Sequence, residues 1–128
     1  MILLLRIIDK YWYWVTFLIM ALIALLSLYP LDSLPPVPGS DKTHHFIAYA
    51  ALAFPVALSK PKSWWYVIVA IIAFGGIIEL IQPYVNRYGE WADMSANSLG
   101  VLVGIILATA MKAIFKYQHG SKVNSKVK

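Results

Sequence analysis

Two carboxylates and one histidine have the residue types that proton transfer requires, and each occurs in or beside an apolar stretch. Glu79 lies near the end of a long apolar run, Asp93 lies just before another, and His45 lies inside a third. A carboxylate that accepts a proton and an imidazole that gives or takes one are usual components of general acid–base catalysis. We therefore take Glu79, His45 and Asp93 as the candidate catalytic residues.

Further polar residues accompany these three at helical spacing. Asp41 and Tyr49 lie four residues before and after His45, so the three share one helix face. Lys42 and Arg87 are suited to holding a phosphate or carboxylate, and the planar guanidinium can donate two bonds at once. The candidate ligand-binding residues are Asp41, Lys42, Tyr49, Gln82, Arg87 and Asn97.

Glycines continue two of these faces away from the polar residues. Small residues on one face let transmembrane helices approach closely, and the spacing of Gly100 and Gly104 is the familiar short form of this pattern. We expect the glycine faces to be buried between helices, so that the polar groups on them converge away from lipid. The predicted helix-packing residues are Gly75, Gly76, Gly100 and Gly104.

Structural explanations compete with these functional ones. Asp41 and Asp93 each lie where a helix is expected to begin, so either could be an N-cap. Glu90 is read as a solvated loop charge. The whole set could also be a polar clasp that only holds the helices together, and the sequence leaves this open.

The elements that position these residues are predicted to be four membrane-spanning helices. The chain of 128 residues is 60% hydrophobic, with a mean hydropathy of +0.68, too apolar for a soluble domain of this size. About 20 apolar residues cross a bilayer, and the spans are predicted near 11–29, 43–58, 64–82 and 93–111. The predicted class is an all-α integral membrane four-helix bundle over residues 1–112, with a basic cytoplasmic tail at 113–128.

Charge predicts the orientation of these spans. Of the 11 lysines and arginines, only Lys42 and Arg87 fall on the side opposite both termini. The positive-inside rule then places both termini in the cytoplasm of a multi-pass bacterial inner-membrane protein. The second span is short and polar, and it is retained because this charge pattern requires it. Whether residues 1–10 extend the first helix or lie along the membrane surface is left open.

Three stretches of the chain resemble a known family. Residues 41–49, DKTHHFIAY, resemble the D-K-x-x-H-F-x-x-Y signature of the VanZ-like membrane proteins, and Glu79-x-x-Gln82 resembles their E-x-x-Q. The segment from Arg87 to Gly104 resembles their R-x5-D-x3-N-x2-G-x3-G. One departure is that Val85 and Asn86 stand where family members often carry Pro-Gly. The resemblance implies a bacterial envelope protein with about four transmembrane helices, and the founding member is linked to low-level resistance to the glycopeptide teicoplanin.

Several functions are compatible with these features. In the first hypothesis the outer mouth of the bundle binds or modifies the headgroup of a membrane lipid or lipid-linked cell-wall precursor; catalysis is left undecided. In the second, the protein is structural and meets another membrane protein or a second copy of itself. Transport is disfavoured because no polar stripe reaches the inner face. No cofactor, no metal and no nucleic-acid partner are predicted, although a metal on His45, Glu79 and Asp93 is conceivable.

Overall fold

The computed structural model describes residues 2–29 and 40–124, with side chains described for 3–29 and 40–115. These residues form helices and no strand, which confirms the all-helical prediction. The connection between the first two predicted spans, residues 30–42, lies mostly outside the described residues. The helices are α1 Ile2–Lys10, α2 Trp12–Leu28, α3 Asp41–Ser59, α4 Trp64–Ile81 and α5 Trp91–Asn124, with a short 3-10 helix at Gln82–Val85.

Two of these helices are long and apolar enough to cross a membrane. They are α4 with its 3-10 extension, Trp64–Val85, and the part of α5 at Trp91–Phe115. The consecutive pair α1 and α2 would provide a third span if it were counted as one unit. Within the described residues, α3 does not meet the same criterion of length and composition.

The first ten residues do not continue the first predicted span. The axis turns by 84° between α1 and α2, at Tyr11, which belongs to neither helix. Leu5 and Ile8 of α1 pack against a small apolar cluster at the end of α3. That end is the one remote from the polar residues.

Helix α3 occupies the centre of the protein. It contacts α1, α2, α4 and α5, and Leu52, Ala53 and Val56 on it are fully buried. An enclosed helix does not have to present an apolar surface to lipid on every side, because its neighbours cover it. This position accounts for α3 being more polar than α4 or than the Trp91–Phe115 part of α5.

Glycines set the distance between α5 and α3. A Cβ atom at Gly100 would collide with the carbonyl oxygen of Phe46, and one at Gly104 would collide with that of Ala50. On α4, a Cβ at Gly75 would lie 3.1 Å from the Tyr49 hydroxyl. Gly76 differs, because a methyl group there would meet only the Met94 Cε at an ordinary 3.6 Å.

Helix α5 extends beyond the fourth predicted span. It continues to Asn124, through part of the stretch that the sequence assigns to a basic tail. Lys112 Nζ donates a hydrogen bond of 3.0 Å to the Leu58 carbonyl at the end of α3. This bond satisfies a carbonyl that has no partner within its own helix, and it fixes α5 beyond residue 111.

Candidate functional site

The polar residues come together where α2 and α4 end and where α3 and α5 begin. Their contacts run between all four helices and the 82–90 connection. We call this group the polar cluster. It consists of Asp41, Lys42, His45, Tyr49, Glu79, Gln82, Arg87, Glu90, Asp93 and Asn97.

His45 lies at the centre of the polar cluster and is 6% exposed. Its Nδ1 lies 3.0 Å from the Asn97 Oδ1 and 3.6 Å from the Glu79 Oε1. An amide oxygen can only accept, so Nδ1 carries the proton and donates to Asn97. In the neutral ring Nε2 is then the free lone pair, and it faces the Asp41 Oδ1 at 3.9 Å.

Glu79 is held by the loop that follows its helix. Its Oε2 accepts the backbone N–H of Glu90 at 3.2 Å, while its Oε1 has no hydrogen bond. The loop can approach this closely because position 89 is glycine: a Cβ there would collide with the Glu79 carbonyl oxygen. Gly89 is a contributor that spacing arguments miss, since it lies in a loop with no periodicity.

Lys42 joins α3 to the start of α5. Its Nζ donates to the Glu90 Oε2 at 2.7 Å and lies 3.6 Å from the Asp93 Oδ1. The hydrogen bond to Glu90 is the main reason that the pKa of the Lys42 ammonium is raised, and the charge of Asp93 adds to it. Glu90 is therefore part of the site, although the sequence reads it as a loop charge; its position three residues before Asp93 was the available signal.

Asp41 and Asp93, which the sequence offers as candidate N-caps, both lie inside their helices. Ser40 is the N-cap of α3, and its side chain accepts the Thr43 N–H at 3.2 Å. Asp41 is therefore the first residue inside the helix, with its carboxylate directed between His45 and Arg87. Asp93 is the third residue of α5, is 2% exposed, and has no hydrogen bond to its Oδ1.

Two of the predicted ligand-binding residues hold the end of α2. Arg87 Nη1 donates to the carbonyls of Leu26 at 3.2 Å and Tyr29 at 3.5 Å. Gln82 Nε2 donates to the Ser27 carbonyl at 3.3 Å. The last carbonyls of a helix lack internal partners and form the negative end of its dipole, so a guanidinium and an amide satisfy them well.

The loop before Arg87 follows a glycine-like path without glycine. Asn86 adopts a left-handed conformation with φ of 60°, and its N–H donates to the Gln82 carbonyl. Asparagine tolerates this region better than most residues because its short side chain can hydrogen-bond locally. Asn86 thus supports the turn that directs Arg87 toward α2.

Many buried polar atoms of the polar cluster lack hydrogen-bond partners within the described protein. Buried polar atoms are almost always paired, and leaving one unpaired costs roughly 1–3 kcal/mol. Their concentration at one place indicates groups that are available to a ligand. They are Tyr49 Oη, Glu79 Oε1, Gln82 Oε1, Asp93 Oδ1 and Asn97 Nδ2.

The cluster contains one arrangement of metal-ligand type. Ligand atoms of Asp41, His45 and Asp93 all lie within 4.8 Å of one another. The sequence alternative grouped His45 and Asp93 with Glu79, but the structure places Asp41 in that third position. Chemically, the site offers carboxylates to a cation, an ammonium to an anion, and the pair His45 and Glu79 for exchange of a proton.

Comparison with known proteins finds a family that covers most of the chain. The model of the VanZ/LLP1 family matches residues 1–115, which include every residue of the polar cluster. Neither a curated protein nor a solved structure matches the chain.

Proposed function

Because this chain belongs to the VanZ/LLP1 family, we propose that it is a bacterial inner-membrane protein whose polar cluster binds the headgroup of a membrane lipid or lipid-linked cell-wall precursor. The observation that carries this is the group of buried polar atoms without partners beside exposed charges. Lys42 and Glu90 are about half exposed, while His45 and Asp93 behind them are buried. Such a site is accessible from the surface and contains buried polar atoms that lack hydrogen-bond partners.

The topology that we propose places this entrance at the outer leaflet. Four helices, α2 to α5, form a membrane bundle with both termini in the cytoplasm, and α3 crosses while enclosed by the others. Support comes from the lysines near α1 and in the 59–63 loop, on the side opposite the polar cluster. The rule that cytoplasmic loops carry the positive charge then assigns the sides.

The site that we propose is closed at its inner end by packed apolar residues, which favours binding over transport. Tyr49 is the last polar side chain of its face on α3, and Leu52 and Val56 below it are fully buried and apolar. The close contacts at Gly100 and Gly104 leave no space between α3 and α5 at that depth. A headgroup could therefore enter from one side only.

Native mass spectrometry of the purified full-length chain tests this function. We expect a co-purifying amphiphile of defined mass on the wild type, and its loss in Glu79→Gln and Asn97→Ala. Asp9→Asn, which changes an exposed acid in α1, is the matched control and should retain the ligand. Equal lipid retention by all four proteins would contradict a headgroup site in the polar cluster.

A structural role is the second candidate, and the contacts of Arg87 and Gln82 favour it. Both bind carbonyls of α2, so part of the polar cluster holds helices together. In this case the clasp would support a surface that meets a partner membrane protein or a second copy. Every cluster substitution would then lower the unfolding temperature and the activity together, whereas a headgroup site predicts variants that remain stable and lose only the ligand.

We also propose that the protein contributes to glycopeptide resistance. Family membership associates the protein with that phenotype, and a bound wall-precursor headgroup would provide the connection. Expression of the wild type is expected to raise the minimal inhibitory concentration of teicoplanin, and Glu79→Gln is expected to abolish the increase at equal protein level. An unchanged increase with Glu79→Gln would separate resistance from the polar cluster.

A further inference from the structure

We infer that the polar cluster holds a divalent transition-metal ion on Asp41, His45 and Asp93. The site lies between the first turn of α3 and the first turn of α5. Its existence is independent of any lipid, but the role given to it below rests on the proposed headgroup binding.

The three ligand atoms lie near enough to one another to share one ion after a modest contraction. They lie within 4.8 Å of one another, whereas two ligands at 2.0–2.2 Å from a tetrahedral ion are about 3.3–3.6 Å apart. The contraction needed on metal binding is therefore up to about 1.5 Å. Asp41 can supply it, because its side chain is 52% exposed and its ion pairs with His45 and Arg87 are long, at 3.9 and 3.7 Å.

The hydrogen bond on the far side of His45 is the one that a metal-binding histidine makes. Ligating histidines almost always donate their other ring N–H to a carbonyl or carboxylate, which fixes the tautomer and the ring orientation. Here Nδ1 donates to the Asn97 Oδ1 at 3.0 Å. The lone pair on Nε2 is therefore presented toward Asp41, on the side where the ion would bind.

A buried carboxylate oxygen without a hydrogen bond gives a second indication of a cation. Asp93 is almost fully buried, and its Oδ1 has no hydrogen bond. A buried carboxylate oxygen that lacks a donor is costly, and a metal ion compensates that cost directly.

The charge of the polar cluster favours a cation over a free anion. Four acids, Asp41, Glu79, Glu90 and Asp93, face two permanent cations, Lys42 and Arg87. A divalent ion would balance the difference. An imidazole with carboxylates suits zinc or manganese, whereas magnesium and calcium prefer ligands that are all oxygen.

Lys42 would compete with this ion. Its Nζ lies 3.6 Å from the Asp93 Oδ1 but only 2.7 Å from the Glu90 Oε2. Metal binding is therefore expected to leave Lys42 on Glu90 and to take over Asp93. The bound ion would then offer open positions to a phosphate oxygen of the headgroup, which a cluster with excess negative charge could not attract alone.

Metal titration of the purified chain tests the site. After chelation and dialysis, we expect one Zn²⁺ or Mn²⁺ per chain, measured by elemental analysis, and a rise in unfolding temperature on metal addition. His45→Ala and Asp93→Asn should weaken binding at least tenfold. Asn97→Ala should weaken it about 10–100-fold through its effect on His45, and Asp9→Asn should leave it unchanged.

Two further variants keep the test decisive. Asp41→Asn changes an exposed side chain, so it should fold normally and still lose affinity, even if His45→Ala does not fold. Lys42→Met should bind metal more tightly, because the competing ammonium is gone. Unchanged affinity in both Asp41→Asn and Asp93→Asn would overturn the site and identify any bound metal as adventitious.

The outcomes separate this inference from the proposed function. A wild type that retains its lipid but binds no metal would overturn the metal site and leave headgroup binding intact. A wild type that binds one metal through these residues but retains no lipid would support the metal site and contradict headgroup binding.

Discussion

His45 of α3 and Asn97 of α5 are joined by a hydrogen bond of 3.0 Å, although 52 residues separate them in the sequence. Both side chains are buried. The bond fixes the ring of His45 with Nε2 toward Asp41, and it links the two helices that approach most closely. Catalytic, metal-binding and structural explanations of the polar cluster all depend on this orientation.

The glycine contacts between α3 and α5 predict a position-specific loss of stability. Gly100→Ala and Gly104→Ala place a methyl group against backbone oxygens of α3, so we expect each to lower the free energy of unfolding by about 1–3 kcal/mol. Gly76→Ala is the matched control, because only a flexible methionine end is nearby. Thermal unfolding in detergent checks this, and equal effects at the three positions would contradict the packing.

The contacts of Arg87 predict that it stabilises the end of α2. Removing the guanidinium leaves carbonyls of Leu26 and Tyr29 without their donors. Hydrogen bonds to charged groups contribute about 1.5–3 kcal/mol, and Arg87→Gln should lower the free energy of unfolding by a similar amount. Arg6→Gln, at an exposed position in α1, is the control. A loss of ligand from Arg87→Gln without loss of stability would instead favour a direct binding role.

The conformation of Asn86 predicts opposite effects of two substitutions. Glycine adopts a φ of 60° without strain, so Asn86→Gly should be neutral or slightly stabilising. Valine is β-branched and strongly disfavoured there, and Asn86→Val should cost about 1–3 kcal/mol. Chemical unfolding of the two variants gives the comparison. Near-equal stabilities would mean that the 82–90 connection does not keep this backbone path.

The pair of Lys42 and Glu90 predicts a pH dependence at alkaline pH. The pKa of Lys42 is raised in the folded protein, first by its hydrogen bond to Glu90. The contribution of the ammonium is therefore complete below the unfolded-state pKa and is lost as pH rises through the folded-state pKa. The difference in unfolding temperature between the wild type and Lys42→Met should be constant near neutrality and shrink above about pH 10.5. A difference that grows with pH would contradict the assignment.

The proposed topology predicts which side of the membrane labels two introduced thiols. The chain has no cysteine, so single substitutions report cleanly. In intact cells a membrane-impermeant maleimide should react with Tyr88→Cys, which is exposed beside the polar cluster, and with Ser63→Cys only after permeabilisation. The reverse pattern would place the polar cluster at the inner leaflet.

The parts of this architecture that the sequence predicted are those that depend on local properties of the chain. The helices and the identity of most site residues follow from apolar length and from polar residues at steps of three and four. Gly89 could not be found in this way, because it acts through a loop that folds back on Glu79, and Glu90, three residues before Asp93, was read only as a charge of that loop. The sequence left the path of residues 1–10 open, and the bend at Tyr11 became visible only in the structure, where α1 packs against the end of α3.

By itself, the sequence determined that the chain is helical, apolar and polar at one end, because composition and periodicity are local properties. Only the tertiary structure decided which side chains meet. The contacts of Arg87 and Gln82 with carbonyls of α2, and the grouping of Asp41 with His45 and Asp93, became visible only in the packed structure. The reason is geometric: helical spacing fixes a residue's face, while its partner depends on how helices distant in sequence are rotated and packed.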